Sequence, residues 1–166
     1  MTIEFDDDGV WVPHADDIVW VALMPFAKVV STDSPDEFTR QFAEIPVWAQ
    51  HLLAAMSVEN GVQSSGFSDL FCTNEGVMTP EAVNGFVALG MPRTAEVVRK
   101  AIAVFGSSYP REVDRREALA DQIREAQADP DADPWAEHDV AYGELAETEA
   151  GGFPLATAAY VRGLNL

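Results

Sequence analysis

The sequence predicts a mainly α fold, a single-domain bundle of about six to eight helices behind an N-terminal extension. The chain has 166 residues, which is the size of one domain. Apolar residues make up 48% of it, enough to build a core. From Ser34 onward, residues that start and stop helices recur along the chain. We therefore expect an acidic extension over residues 1–34 and an α-helical domain over 35–166.

The extension contains two short runs of residues that favour strands. Gly9–Val12 and Ile18–Val21 are both rich in Val and Trp. Their periodicity does not separate a β-hairpin from two short helices, and both structures stay open for this segment.

The first two predicted helices are bounded by clear local signals. Residues 34–37 read Ser-Pro-Asp-Glu, which is typical of an N-cap followed by an acidic first turn. A second helix is predicted over residues 46–59. Asn60 and Gly61 are predicted to end it through a left-handed residue.

A short aromatic segment is predicted at 66–71, and helices are predicted at 79–90, 92–105, 110–128, 135–149 and 153–161. Each of these helices begins near a proline and ends near a glycine or a proline. A break is expected at 129–134, where two prolines disfavour helical backbone. Gly151 and Gly152 separate the last two helices.

The charge balance limits the partners that the chain can bind. It carries 28 acidic and 10 basic residues, a formal net charge of −18, which disfavours nucleic acid and anionic membranes as direct partners. No run approaches the roughly 18–20 apolar residues of a membrane span. The first residues are acidic, whereas a signal peptide is positively charged there. A single cysteine, Cys72, cannot form an internal disulfide, and these features together favour the cytoplasm.

Neither a metal site nor a cofactor is predicted. The three histidines are scattered and match no zinc pattern: His14, His51 and His138. Asp129, Asp131 and Asp133 alternate as in a calcium loop. However, Pro134 and Val140 stand where that loop needs Gly and Glu.

One series of acids stands out in the polar helix predicted at 110–128. Glu117, Asp121, Glu125 and Asp129 are spaced four apart and would share one stripe. Like charges at this spacing each destabilise an isolated helix by about 0.2–0.5 kcal/mol. Arg124 can relieve Asp121 only. The stripe favours a role in binding a basic partner, while solubility or a high-salt environment would also select for acidity, so both stay open.

Several short segments, taken in order, resemble a widespread family of helical bacterial domains that includes a DNA-mimic protein. They are Pro46–Leu53, Val58–Gly61, Gly66–Phe71 and Asn74–Gly76. The resemblance extends over roughly residues 45–162 and is most specific at 66–76. Its motif residues are aromatic, glycine and asparagine, and we interpret them as structural: Asn60, Gly61, Gly66, Phe67, Phe71, Asn74 and Gly76.

The resemblance implies an all-α fold, frequent dimers and no established catalysis. It also implies a mode of action in which acids stand in place of phosphates before a DNA-binding regulator. The acids are not motif residues of the family, so this role depends on the charge of this chain itself.

The leading hypothesis is therefore a non-catalytic acidic protein that occludes the basic surface of a protein partner. A DNA-binding regulator is the partner that the resemblance implies, and a homodimer is compatible with it. The acids expected to contact the partner are Glu117, Asp121, Glu125, Asp129, Asp131, Asp133, Glu137 and Asp139.

Two alternatives stay open. The first is an immunity-type or accessory protein whose interface is apolar, with Trp11, Trp20 or Trp135 exposed and the acids serving solubility only. The second, which is weaker, is an enzyme that uses Asp69 and His51 within hydrogen-bond reach of each other.

Overall fold

The computed structural model describes residues 4–5, 11–12, 15–129 and 132–164. Over these residues the predicted helical bundle is confirmed. The eight α-helices are α1 Ala15–Ala27, α2 Pro35–Glu44, α3 Val47–Phe71, α4 Thr79–Ala88, α5 Pro92–Ala103, α6 Val113–Glu125, α7 Ala136–Thr148 and α8 Phe153–Gly163. Two two-residue strands, β1 (Glu4–Phe5) and β2 (Trp11–Val12), pair antiparallel.

The second β-prone run of the extension is helical. Residues 18–21 lie inside α1, and Val19 and Leu23 are buried where α1 packs against α8 and α3. The division into an extension at 1–34 and a domain at 35–166 stays a prediction.

Most helix starts and stops follow the local signals. The Ser34 hydroxyl accepts a hydrogen bond from the Glu37 amide at 3.2 Å and so caps α2. Gly90, Gly151 and Gly152 have positive φ and lie between successive helices. The residues that determine these helix boundaries lie within one turn of the helix end.

The prediction that Asn60 and Gly61 end the second helix is wrong. α3 continues through them and breaks only at Gly66, whose φ is 84°. Val62 lies one turn beyond Val58 and both are buried, so the core-facing stripe continues through the glycine. Gly61 is needed for a different reason, because a Cβ there would lie 2.6 Å from the Leu70 side chain.

The polar helix is shorter than predicted at both ends. α6 begins at Val113, since Glu112 before it has extended backbone, and ends at Glu125. Residues 125–129 are all exposed, so no buried side chain holds a further turn in place. On the inner face of α6, Arg116 and Ala120 are fully buried.

Phe71 lies at the centre of an aromatic cluster in the core. Its ring centroid lies 5.0 Å from that of Phe105, 5.4 Å from Trp135, 5.7 Å from Phe67 and 5.8 Å from Tyr109. Because these rings come from both halves of the chain, the cluster joins the segment 66–76 to the residues just after α5 and just before α7.

Candidate protein-binding surface

Three of the predicted contact acids lie together on the outer face of α6. Glu117, Asp121 and Glu125 are exposed at successive turns, and we call them the α6 acidic stripe. The Arg124 guanidinium is 2.8 Å from Asp121 Oδ1 and also donates a hydrogen bond to Ser68 Oγ at 2.6 Å. Within the described part of the chain, no cation pairs with Glu117 or Glu125.

The stripe is one acid shorter than predicted. Asp129 was expected to continue it, but α6 ends at Glu125 and Asp129 lies exposed in the turn that follows. Asp131 lies outside the described residues. Asp133 is exposed and its Oδ1 accepts a hydrogen bond from the Trp135 amide at 2.9 Å, immediately before α7.

The two predicted contact acids of α7 face different surroundings. Glu137 is exposed. Asp139 is half-buried, and its Oδ1 accepts a hydrogen bond from the amide of Phe67, 72 residues away in the chain, at 2.8 Å. Glu137 therefore remains a candidate contact residue at the surface, whereas Asp139 forms a hydrogen bond inside the fold.

Asp139 provides a hydrogen-bond acceptor for a backbone amide at the break in α3. At Gly66, with φ 84° and ψ 172°, the helix restarts, and the Phe67 amide needs an acceptor. A Cβ at Gly66 would lie 2.8 Å from Asp139 Oδ2, so only glycine lets the carboxylate approach. Burial raises the pKa of Asp139, and the hydrogen bond from Phe67 partly opposes this increase.

The other motif residues near this break divide into buried and polar ones. Phe67 and Phe71 are fully buried, as expected for core packing. Asn60 is exposed, while Asn74 is half-buried with its Nδ2 3.5 Å from Asp33 Oδ1.

Gly76 allows a close approach between the turn after α3 and α6. A Cβ at this position would lie 2.7 Å from the Leu70 carbonyl and 3.2 Å from Arg116 Nε. The Gly76 carbonyl accepts a hydrogen bond from the Tyr109 hydroxyl at 2.7 Å. Burial raises the pKa of Tyr109 to about 12, so its hydroxyl keeps the donated proton at neutral pH.

Arg116 is a buried cation that the sequence pattern did not reveal as part of the core. Burial lowers its pKa. It has no carboxylate within ion-pair distance among the described residues, and its guanidinium instead donates to backbone carbonyls. These belong to Phe71 at 2.8 Å, Thr73 at 2.6 Å, Pro110 at 3.3 Å and Arg111. The available signal was its spacing of four from Ala120 on the inner face of α6.

Two further acids have structural partners that lie far away in sequence. The Glu149 carboxylate accepts hydrogen bonds from the amides of Arg93 and Thr94 at 2.9 and 2.8 Å and caps α5. Glu59 Oε2 accepts a hydrogen bond from the buried Tyr142 hydroxyl at 2.7 Å. Local sequence carries no signal for the first contact. For Glu59, the only sequence signal of a role inside the fold is its helical spacing from apolar residues of α3.

The residues considered for catalysis and metal binding do not come together. His51 Nδ1 is 2.9 Å from the Tyr160 hydroxyl, and no hydrogen bond joins it to Asp69, which is exposed. Among the described residues, no three His, Cys, Asp or Glu side chains form a group that could hold a metal ion. In the same residues, no helix combines the length and hydropathy required to cross a bilayer.

Of the tryptophans considered for an apolar interface, only Trp20 is seen on the surface. It is 50% exposed on α1, beside Val21 at 61% and Met24 at 37%. The expectation that Trp135 is exposed is wrong: it is fully buried, with Nε1 donating to the Ala101 carbonyl at 3.0 Å. The side chain of Trp11 lies outside the described part of the structure.

Comparison with known proteins adds one finding. A family model described as DMP19-like protein matches residues 43–164, from the last turn of α2 to the end of the described chain. No curated protein and no solved structure matches the sequence.

Proposed function

The chain belongs to the DMP19-like protein family, and on this premise we propose that it binds a basic protein and occludes the surface by which that protein contacts DNA. DMP19 denotes DNA mimic protein 19, and the family is not a known enzyme family. The proposed action needs no catalysis and no cofactor. It also needs no contact between this chain and nucleic acid, in agreement with the net charge of −18.

The observation that carries the proposal is the α6 acidic stripe. Its members repel one another, and Arg124 offsets only Asp121. An arrangement that weakens the isolated helix is consistent with a binding role, since a basic partner would remove the repulsion. Asp133 and Glu137, just before α7 and in its first turn, are exposed as well.

The spacing of the carboxylates indicates how they would replace phosphates. Four helical residues rise about 6 Å, whereas one DNA strand places a phosphate every 3.4 Å or so along the axis. One stripe is therefore sparser than DNA, and carboxylates from a second element or a second copy of the chain are needed. We propose Asp133 and Glu137 as the second element, and a homodimer stays a prediction.

Such a surface would act chiefly through long-range attraction. Exposed charges steer association and are screened beyond about 10 Å at 0.1 M salt. Binding should thus be fast, sensitive to salt and competed by duplex DNA. We expect the encounter to take place in the cytoplasm, because a single cysteine cannot form an internal disulfide.

The experiment is affinity capture on the immobilised protein with three matched surfaces. The first is the wild type, and the second carries Glu117→Lys, Asp121→Lys and Glu125→Lys. The control carries Asp36→Lys, Glu37→Lys and Glu44→Lys, three exposed acids of α2 that give the same change in net charge.

We expect the wild type to retain a DNA-binding protein that salt and duplex DNA both release. The stripe variant should bind this partner about tenfold or more weakly, and the α2 control should bind nearly as well as the wild type. An equal loss in both variants would show that net charge alone acts and would overturn the assignment to the stripe.

The apolar surface of α1 supports a second candidate function, that of an accessory protein with an apolar interface. Trp20, Val21 and Met24 are all exposed there. A captured partner that stays bound at about 0.5 M salt and is lost with Trp20→Ser would favour this candidate over charge mimicry.

A further inference from the structure

A cavity of about 270 Å³ opens where α1, α3 and α8 meet. Its walls combine apolar and uncharged polar side chains: Val19, Met56, Phe153 and Pro154 with Asn60 and Thr157. One ionisable side chain, Glu59, reaches it from α3. The volume falls below the roughly 300–1,000 Å³ of ordinary small-molecule pockets, so the cavity suits a single side chain better than a larger ligand.

The charge of Glu59 is not balanced by a cation. Its carboxylate is half-buried and receives hydrogen bonds from Tyr142 and Gln63, which are both neutral donors. Among the described residues, no Lys, Arg or His lies within ion-pair distance of it. Burial raises the pKa of Glu59, as expected for a carboxylate that has lost part of its hydration.

We propose that this cavity receives an arginine side chain of the basic partner, with its guanidinium on Glu59 and its methylene stem against Met56 and Phe153. The inference rests on the proposed function, since it takes the partner to be basic. It adds an anchoring site that is separate from the α6 acidic stripe.

The chemistry of the cavity favours arginine over lysine. A guanidinium is more weakly hydrated than an ammonium, and so it enters a partly buried ion pair at a lower cost. Tyr142 and Gln63 occupy two of the roughly four acceptor positions of the carboxylate, which leaves two for a planar pair of N–H donors. The apolar walls match the hydrocarbon stem of the side chain.

The cavity and the stripe would contribute to different steps of binding. Exposed charges mainly set the association rate, whereas a desolvated charge pair mainly sets the dissociation rate. A single buried arginine in a pocket is also a typical hot spot of protein interfaces.

The test uses N-acetyl-L-arginine amide as the probe and N-acetyl-L-citrulline amide as its neutral analogue. Each is titrated into the full-length ¹⁵N-labelled protein, and amide chemical shifts are followed by NMR. We expect saturable millimolar binding of the arginine probe, with shifts centred on residues 56–60 and 153–157. Binding of the citrulline analogue should be about tenfold weaker or undetectable. Equal binding of both probes, or shifts centred elsewhere, would overturn the inference.

Two variants test whether the arginine probe binds at the Glu59 carboxylate. Glu59→Gln keeps an acceptor for the Tyr142 hydroxyl but removes the negative charge, and it should weaken arginine binding about tenfold. Glu44→Gln removes an exposed charge of α2, outside both the cavity and the α6 acidic stripe, and should leave probe binding unchanged. Should Glu59→Gln fail to fold, the comparison of the two probes on the wild type still decides the question.

Failure of this inference is distinguishable from failure of the proposed function. Binding of the arginine probe that requires Glu59 supports the inference even where reversing the stripe leaves partner capture intact. Absence of such binding overturns it even where reversing the stripe abolishes capture.

Discussion

The two faces of α6 use charge in opposite ways. On the inner face, the guanidinium of Arg116 is fully buried, and its hydrogen bonds within the described part of the chain all go to backbone carbonyls. On the outer face, Glu117 and Glu125 are exposed and have no cation among the described residues, while Asp121 has Arg124. The inner charge stabilises the fold, and the outer charges weaken it slightly.

This difference shows why net charge alone says little about function here. Asp139 and Glu149 count toward the total of −18, but both carboxylates accept backbone hydrogen bonds. These two carboxylates are held inside the fold, whereas the exposed acids of α6 are available to a partner. The two groups should therefore respond differently to substitution, the inward ones through stability and the outward ones through binding.

The largest effect is expected from Arg116→Met. The substitution preserves much of the side-chain volume but leaves the buried carbonyls of Phe71 and Pro110 without the guanidinium donor. Each unsatisfied buried group costs about 1–3 kcal/mol. We expect the free energy of unfolding to fall by about 3 kcal/mol or more, measured by urea denaturation.

The matched control is Arg115→Met on the exposed neighbour of Arg116. It should change stability by less than about 0.5 kcal/mol. Equal losses in the two variants would mean that the inner guanidinium has no special role in the fold.

A smaller loss is expected from Gly66→Ala at the break in α3. The new methyl group would lie too close to the Asp139 carboxylate. The alanine would also have to adopt a backbone conformation, φ 84° and ψ 172°, that is essentially confined to glycine. Such strain costs about 1–3 kcal/mol. Gly143→Ala, inside α7 with open space around its Cβ, should instead stabilise the protein by about 0.5–1 kcal/mol. Thermal unfolding of both variants measures the contrast, and a gain from both would contradict it.

The smallest effect is expected on the outer face. Replacing Glu117, Asp121 and Glu125 together by Gln removes two like-charge contacts and the pairing of Asp121 with Arg124. We expect a net gain in the free energy of unfolding below about 1 kcal/mol, which disappears at high salt.

Glu149→Gln is the inward counterpart of that change. It weakens the cap on the first turn of α5 and should lose about 1 kcal/mol. Thermal unfolding at low and high salt compares the two, and a stabilising Glu149→Gln would contradict the division between inward and outward acids.

Several helix ends could be predicted because the residues that mark them lie within one turn of the end. The Ser34 cap and the glycines at 90, 151 and 152 mark helix ends as expected. The family resemblance carried by the segment 66–76 is confirmed by the match over residues 43–164. At Gly61 local reasoning failed, because packing of Val62 and Leu70 overrode the preference of Asn-Gly for a helix end.

The candidate surface could be predicted only in part. The spacing of Glu117, Asp121 and Glu125 places them on one face of any helix that contains them. Whether that helix reaches Asp129 depended on burial beyond Ile123. Residues 125–129 are all exposed, and the helix ends at Glu125.

The sequence by itself thus determined the helical class, most helix ends, the acidity and the family, because composition, capping and periodicity are local properties. Only the tertiary structure decided which charges face inward. The contact of Asp139 with Phe67 joins residues 72 apart in the chain, and that of Glu149 with Thr94 joins residues 55 apart. Burial and hydrogen bonding at such separations depend on how the helices pack, and no local pattern encodes them.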